Sequence, residues 1–251
     1  FKTPINIILS SIQLLLKLLS DNCEIDNDTL LKYLNILKQN SYRLLRLVNN
    51  VLDSSKLENN FTDLTLVNCN IINIIENIVL STCDYLKQNN KEIIFDTDEE
   101  EVFLSCDPDK IEKVILNLIS NSLKFTDSNG KIKVKIFTDY ESKKLFVHVQ
   151  NNGPEISVSD SKKIFSRFIQ SDELFTKKNQ GTGIGLFLCK SFIELHGGEI
   201  WANPNFKNGA EFIFYLPIKL TNSEKFDTLN QSTPSSKIEK CNIEFSDIYS
   251  I

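Results

Sequence analysis

Between Lys113 and Phe125 the sequence reads KVILNLISNSLKF. Taken as a helix at about 100° per residue, it lines up Lys113, Asn117, Asn121 and Lys124 on one narrow stripe. Val114, Ile115, Leu118 and Phe125 cover one flank, and Leu116 and Leu123 the other. A surface helix would show a broad polar face, whereas here amides and ammonium groups look out through a slit between apolar flanks. Buried polar groups cost free energy unless hydrogen-bonded. Amide oxygens beside ammonium groups suit a metal-bound polyphosphate, the oxygens facing the cation and the lysines the phosphates. A helix whose asparagines cap neighbouring backbone fits the same stretch.

A second chemical feature is the run Gly181-Thr182-Gly183-Ile184-Gly185, which leads into a helical period from Leu186 to Leu195. Amides at a helix N-terminus, with no side chains in the way, make a ready anion site. A lone GxGxG run occurs in many loops; its weight here comes from the order of features around it. The asparagine stripe is followed by a strand ending in Asn151-Asn152-Gly153-Pro154. Then comes a long polar segment, Ser157 to Gln180, anchored by Ile164, Phe165 and Phe168. A connection that long inside a compact domain is usually functional, often a lid.

These features need a scaffold. Apolar residues at Ile5, Ile8, Ile12, Leu15 and Leu19 recur at steps of three and four, and the spacing returns at Leu30, Leu34, Leu37, Leu44, Val48 and Val51, with Ser41 as the polar exception. Two long helices joined at Asp21–Asp28 form a hairpin. Its apolar seam fits pairing with a second copy into a four-helix bundle, or packing on the rest of its own chain. The stretch from Lys56 to Asn70 reads as a connector, Ile71–Leu86 as a helix, and Glu92–Asp96 and Val102–Cys106 as short strands. Asp107-Pro108 caps the central helix, which ends in the turn Asp127–Gly130. Ile132–Thr138 and Leu145–Gln150 alternate as an antiparallel pair, and Glu199–Ala202 and Ala210–Leu216 close the domain. From Leu220 to about Lys240 the composition predicts a flexible linker. The residues around Phe245 and Tyr249 are apolar enough to dock.

The bulk composition is that of a soluble globular chain: 251 residues, 41% hydrophobic and 24% charged. A net charge of -5 gives no reason to expect nucleic acid as a partner. Six cysteines without a CxxC pair read as reduced thiols in a cytoplasmic protein, not as a disulfide frame or zinc site. The stretch Ile5 to Leu19 is broken by Asn6, Ser10, Ser11, Gln13 and Lys17, against a membrane span or signal peptide. The chain begins at Phe1 and has no methionine, as expected of a piece of a longer protein with any membrane anchor upstream.

Together, KVILNLISNSLKFT, NNGPEI, IFSRF and GTGIGLFLCKSFIELHGGEIWA resemble, in order, the N, G1, F and G2 boxes of the ATP-binding catalytic domain of two-component sensor histidine kinases. The opening FKTPINIILSSIQLL resembles the segment after the phospho-accepting histidine in the dimerisation and phosphotransfer domain of that family. The resemblance spans residues 1 to 218. It implies an α+β chain: a dimerising hairpin at 1–58, a linker at 59–70 and an α/β sandwich of the Bergerat type at 71–219, after which composition makes 220–251 a flexible tail. It implies ATP and Mg²⁺ as cofactors and a response-regulator receiver domain as partner.

Residue by residue, the resemblance makes Asn121 the Mg²⁺ ligand. Asn117 becomes a contact to phosphate or its water shell, and Lys124 a phosphate partner. Asn151 stands where the family usually has an adenine-reading aspartate, and Glu155 replaces a usual glycine after Gly153, so the first glycine box is degraded. Gly181, Thr182, Gly183, Gly185 and Leu186 match the second box, Phe165 and Phe168 the lid's aromatic anchor, and Arg167 a phosphate contact. Thr3 falls where the family orients water for dephosphorylating a partner, with the acceptor histidine expected two residues before Phe1. His148 reads as a strand residue and His196 as a helix-end residue. The implied activity is transfer of the ATP γ-phosphoryl group to that histidine and then to a regulator aspartate. Two alternatives are a gyrase-type ATPase, disfavoured because Asn117 stands where hydrolytic relatives carry glutamate, and a dimeric scaffold that docks a regulator without catalysis.

Overall fold

The computed structural model describes residues 2–21, 25–59, 61–126, 129–169, 183–221 and 234–248. Helices α1 (Lys2–Ser20) and α2 (Asn27–Glu58) form the hairpin. Asp26 caps α2 by accepting from the Thr29 amide at 2.7 Å. Heptad residues are left uncovered by the rest of the chain: Leu19 is 63% exposed and Leu34 49%. What α2 buries is polar, namely Asn40, Arg46, Asn50 and Ser54. Ser41, the polar exception in the seam, is exposed and donates to the Leu37 carbonyl. The polar burial lies on another stripe of the same helix. By length and composition α1 could cross a membrane, but it carries Ser10, Ser11 and Gln13 and runs alongside α2.

The α/β domain begins earlier than its helical period suggests. Strand β1 (Val67–Asn70), inside the stretch read as a connector, pairs antiparallel with β3 (Phe103–Cys106). This pairing brings the Cys69 and Cys106 thiols to 3.3 Å. After β1 come α3 (Ile71–Gln88) and β2 (Glu92–Thr97). Past β3 lie α4 (Pro108–Phe125), β4 (Lys131–Asp139), β5 (Lys144–Asn151) and the one-turn α5 (Val158–Ser161). Helix α6 (Gly185–Leu195) and strands β6 (Glu199–Ala202) and β7 (Ala210–Pro217) follow.

The main sheet runs β2-β4-β5-β7-β6, with β2–β4 parallel and the other pairs antiparallel. Along β4 and β5, Ile132, Val134, Ile136, Leu145, Val147 and Val149 turn inward against α4, whose Ile115, Leu118, Ile119 and Leu123 are fully buried. Each such side chain contributes about 1.5–3 kcal/mol of burial. This is a two-layer α/β sandwich, as the resemblance implied, and β4–β5 is the antiparallel pair that the alternation predicted.

Two devices fix α4. Asp107 accepts from the Lys110 amide at 3.2 Å with Pro108 following it. The His196 ring accepts from the Asp107 amide at Nε2 (3.0 Å) while Nδ1 lies 2.6 Å from the Phe192 carbonyl. That pair of contacts requires the neutral ring protonated at Nδ1, and burial pushes the imidazole pKa down to match. His196 therefore ties the end of α6 to the start of α4. His148 lies on β5 and contacts Glu211 on β7 at 3.0 Å, as a strand residue. Of the turn at 127–130, Asp127 and Ser128 lie outside the described residues, as do Cys23 and Tyr249.

The flexible-tail expectation needs correcting. Pro234–Glu244 forms a helix, α7, and Phe245 beyond it is fully buried. Phe245 stacks on Tyr85 of α3 at 4.7 Å, and its carbonyl accepts from the Tyr85 hydroxyl at 3.2 Å. Composition hides this, since the segment is polar and its anchor is a single aromatic ring. Upstream, Asn68 of β1 holds Thr221 by the threonine amide and carbonyl at 3.0 and 2.9 Å.

Candidate active site

Helix α4 carries the stripe into the interior. Asn117 is 1% exposed. Its Nδ2 donates to the Lys113 carbonyl at 3.1 Å, and its Oδ1 accepts from Arg46 Nη2 of α2 at 3.3 Å. One end of the amide thus caps backbone, as the second reading of the stripe has it, and the other accepts from a guanidinium. Lys113 pairs with Asp53 of α2. Asn121 is half-buried, and among the described residues its amide engages no hydrogen-bond partner. Lys124 is pushed down to about 8, chiefly by burial and further by the Arg46 charge, while Asp247 opposes the shift.

The other candidate residues surround this stripe. Asn151, at the end of β5, is buried; its Oδ1 accepts from the Gly153 amide at 2.9 Å and its Nδ2 donates to Ser122 Oγ of α4 at 3.3 Å. The second lone pair on Oδ1 remains for a ligand donor. Gly183 has φ +67°, and its carbonyl accepts from the Phe168 amide at 3.0 Å. A Cβ on Gly185 would come within 2.6 Å of Asn117 Oδ1, so only glycine lets the start of α6 close on the amide stripe. Helix α6 opens without a side-chain cap, which leaves its first amides available as donors. Leu186 is partly buried against the core.

The aromatic pair divides its work. Phe165 is buried and packs edge-on against Phe212 at 6.3 Å, whereas Phe168 is 65% exposed with φ +60°. Between them, Arg167 does not reach the stripe. Its guanidinium lies 5.3 and 5.4 Å from the Phe168 and Phe187 rings and bridges to Glu58 and Ser54 of α2. Among the described residues its Nε is buried without a partner. Thr3 is exposed on the first turn of α1, beside the buried Pro4. Gly181, Thr182 and the 170–180 part of the expected lid lie outside the described residues.

The structure therefore brings Asn117, Asn121, Lys124 and Gly185 together and reaches Asn151 through Ser122. It adds residues that the motifs did not point to: Arg46 and Asp53 from α2, and Glu244 and Asp247 from the 234–248 segment. Arg46 donates to Glu244 Oε2 at 2.9 Å and to Asp247 Oδ2 at 2.8 Å. The pairing outweighs burial and raises the guanidinium pKa. A signal for Arg46 did exist, in the polar spacing Asn40, Arg43, Arg46, Asn50 on the face opposite the heptad residues.

This donor set fits a polyphosphate nucleotide. A cradle that a Cβ would fill meets a buried amide, a helix start faces it, and a cation of weakened basicity stands two turns along α4. Among the described residues no cluster of three or more His, Cys, Asp or Glu side chains could hold a metal. A Mg²⁺ here would come with the phosphates, as that ion commonly does.

Comparison with known proteins agrees with this geometry. The family described as "Histidine kinase-, DNA gyrase B-, and HSP90-like ATPase" matches residues 106–220. The "His Kinase A (phospho-acceptor) domain" matches residues 1–60. Sensor histidine kinase WalK of Bacillus subtilis (strain 168) is 28% identical over 219 residues, 87% of this chain and 36% of the relative. The chain thus spans about a third of that relative's length. The catalytic domain of histidine kinase ThkA is 33% identical with TM-score 0.54, covering 63% of this chain and 99% of that one. ThkA in complex with response regulator protein TrrA is 30% identical with TM-score 0.66, covering 87% of this chain and 58% of that one.

Proposed function

Because this chain belongs to the two-component sensor histidine kinases, we propose that it is their cytoplasmic kinase core, binding ATP·Mg²⁺ and passing the γ-phosphoryl group to a histidine just before Phe1. From there the phosphoryl group goes to an aspartate of a response-regulator receiver domain. The observation that carries this reading is the stripe of Asn117, Asn121 and Lys124 closed against the glycine start of α6.

Each residue then has a task. Asn121 holds the metal, Lys124 and the α6 amides hold the phosphates, and Asn151 reads the adenine amino group with its free lone pair. Mg²⁺, when bound, neutralises charge on the phosphates. Positioning and charge neutralisation are the main demands of phosphoryl transfer, and no protein carboxylate stands on the stripe to activate water. The exposed apolar face of the hairpin pairs with a second copy, and Thr3 serves the reverse step, orienting water near the phosphorylated partner.

Labelled ATP separates the kinase from its rivals. With Mg²⁺, the chain extended upstream through the acceptor histidine gains acid-labile, base-stable phosphate, and the 1–251 chain does not. ATP cleavage that labels neither chain would favour the gyrase-type ATPase. Absence of both labelling and cleavage would favour the scaffold.

A further inference from the structure

The segment from Pro234 to Ile248 is wedged between the hairpin and the α/β domain. On the α/β side Lys240 reaches Asp109 and Glu112 of α4, and the Glu244 carbonyl accepts from Ser120 Oγ at 3.1 Å. Phe245 fills a pocket against Tyr85. On the hairpin side the Ser246 carbonyl accepts from Arg43 Nε at 2.7 Å, and Glu244 and Asp247 hold Arg46 from two directions. Arg46 in turn holds Asn117 Oδ1. Ser120 and Lys124 stand one turn apart on α4, so the segment is anchored beside the stripe.

Carboxylates here occupy the Arg46 guanidinium beside the amide stripe. A triphosphate arriving at Asn117, Asn121 and Lys124 needs the same positive charge, and two anions cannot share it without mutual repulsion. We propose that residues 234–248 are an intramolecular competitor of the nucleotide: Glu244 and Asp247 stand in for phosphate at Arg46, beside the amide stripe, and lock α2 onto α4 until ATP displaces them. The inference rests on the ATP-binding reading above. It adds a regulatory state in which the hairpin is held against the catalytic layer and cannot swing to present an acceptor.

Hydrogen exchange on the unmodified chain tests this without requiring turnover. The Phe245 and Ile248 amides donate to the Cys241 and Phe245 carbonyls at 2.9 and 3.0 Å. A saturating non-hydrolysable ATP analogue with Mg²⁺ should speed their exchange at least about fivefold, the lower range of such couplings. In parallel, Glu244→Gln combined with Asp247→Asn keeps hydrogen-bond acceptors but removes the charge, and should tighten analogue binding by a similar factor in calorimetry. Analogue heat with unchanged or slowed exchange at 245 and 248 would overturn the competitor and leave ATP binding intact. Loss of binding in both the unmodified chain and the variant would overturn both readings. Binding seen in the variant alone would support the competitor.

Discussion

The hairpin and the α/β domain bury opposite kinds of surface. In the α/β domain the inward residues are Ile, Val, Leu and Phe, packed on both sides and nearly free of solvent. In α2 the inward residues are Asn40, Arg46, Asn50 and Ser54, while Leu31, Leu34, Leu45 and Leu52 face outward. Apolar burial is non-directional and gains with area, which suits a permanent core or a permanent dimer. Polar and ionic contacts depend on having every partner present, which suits a contact that is meant to be exchanged. The hairpin thus leaves its apolar face open, as a permanent dimer would need, and turns its polar face toward its own α/β domain.

The largest expected effect sharpens the core side of that contrast. Leu118→Ala, at a fully buried position of α4, should cost about 2–5 kcal/mol in denaturant unfolding. Leu31→Ala on the hairpin should change the unfolding of the dilute monomer by no more than about 0.5 kcal/mol. Equal losses would mean that the hairpin face is already covered within one chain.

The outward face is tested by association. Leu31→Glu with Leu52→Glu should convert a dimer into a 28.7 kDa monomer in analytical ultracentrifugation, whereas Asn50→Ala on the inward face should leave the dimer intact. A monomeric unmodified chain would break the comparison at its root.

A smaller effect concerns the outer face of the sheet, where Glu211 accepts from Gln150 at 2.6 Å and Asn203 at 2.6 Å and contacts His148 at 3.0 Å. Burial alone would raise its pKa, but these hydrogen bonds outweigh it and lower the carboxyl to about 2. A lowered carboxylate contributes stability above its unfolded pKa and loses it as pH falls through the folded value. Between pH 4.5 and about 2 the unmodified chain should therefore lose on the order of 2 kcal/mol that Glu211→Gln does not lose. Parallel acid curves would assign the loss elsewhere.

The smallest effect is protonic. With Lys124 lowered from 10.5 to about 8 by burial, the unfolded chain binds more protons between those values, so this group's contribution to stability rises with pH across that window. Phosphates beside it restore the charge. Binding of an ATP analogue near pH 8 should therefore take up a fraction of a proton, read from heats in buffers of different ionisation enthalpy. Lys124→Arg should abolish the uptake, because guanidinium stays charged.

How much of this was legible follows the range of the forces involved. Helix α4 was readable because its flanks, its stripe and its Asp107-Pro108 cap are local. So was the β4–β5 pair, from its strict alternation. Strand β1 was not: Val67-Asn68-Cys69-Asn70 looks like a connector and becomes a strand only because β3, more than thirty residues on, offers a ladder. Helix α7 was hidden for a similar reason, since Glu244 meets Arg46 across 198 residues. Within the site, the motifs located Asn117, Asn121 and Gly185. They sent Arg167 toward phosphate, whereas in this arrangement Glu58 and Ser54 hold it. Spacing in sequence finds residues that share an element; it does not find the cation that another domain supplies.

The central claim is that the stripe on α4 binds a nucleotide through its metal. Calorimetric titration of the 1–251 chain with a non-hydrolysable ATP analogue, with and without Mg²⁺, tests it directly beside Asn121→Ala. Binding that strengthens with Mg²⁺ in the unmodified chain, and no longer responds to Mg²⁺ in Asn121→Ala, is the predicted result. Binding equally strong without Mg²⁺, or a Mg²⁺ response that survives Asn121→Ala, would contradict it.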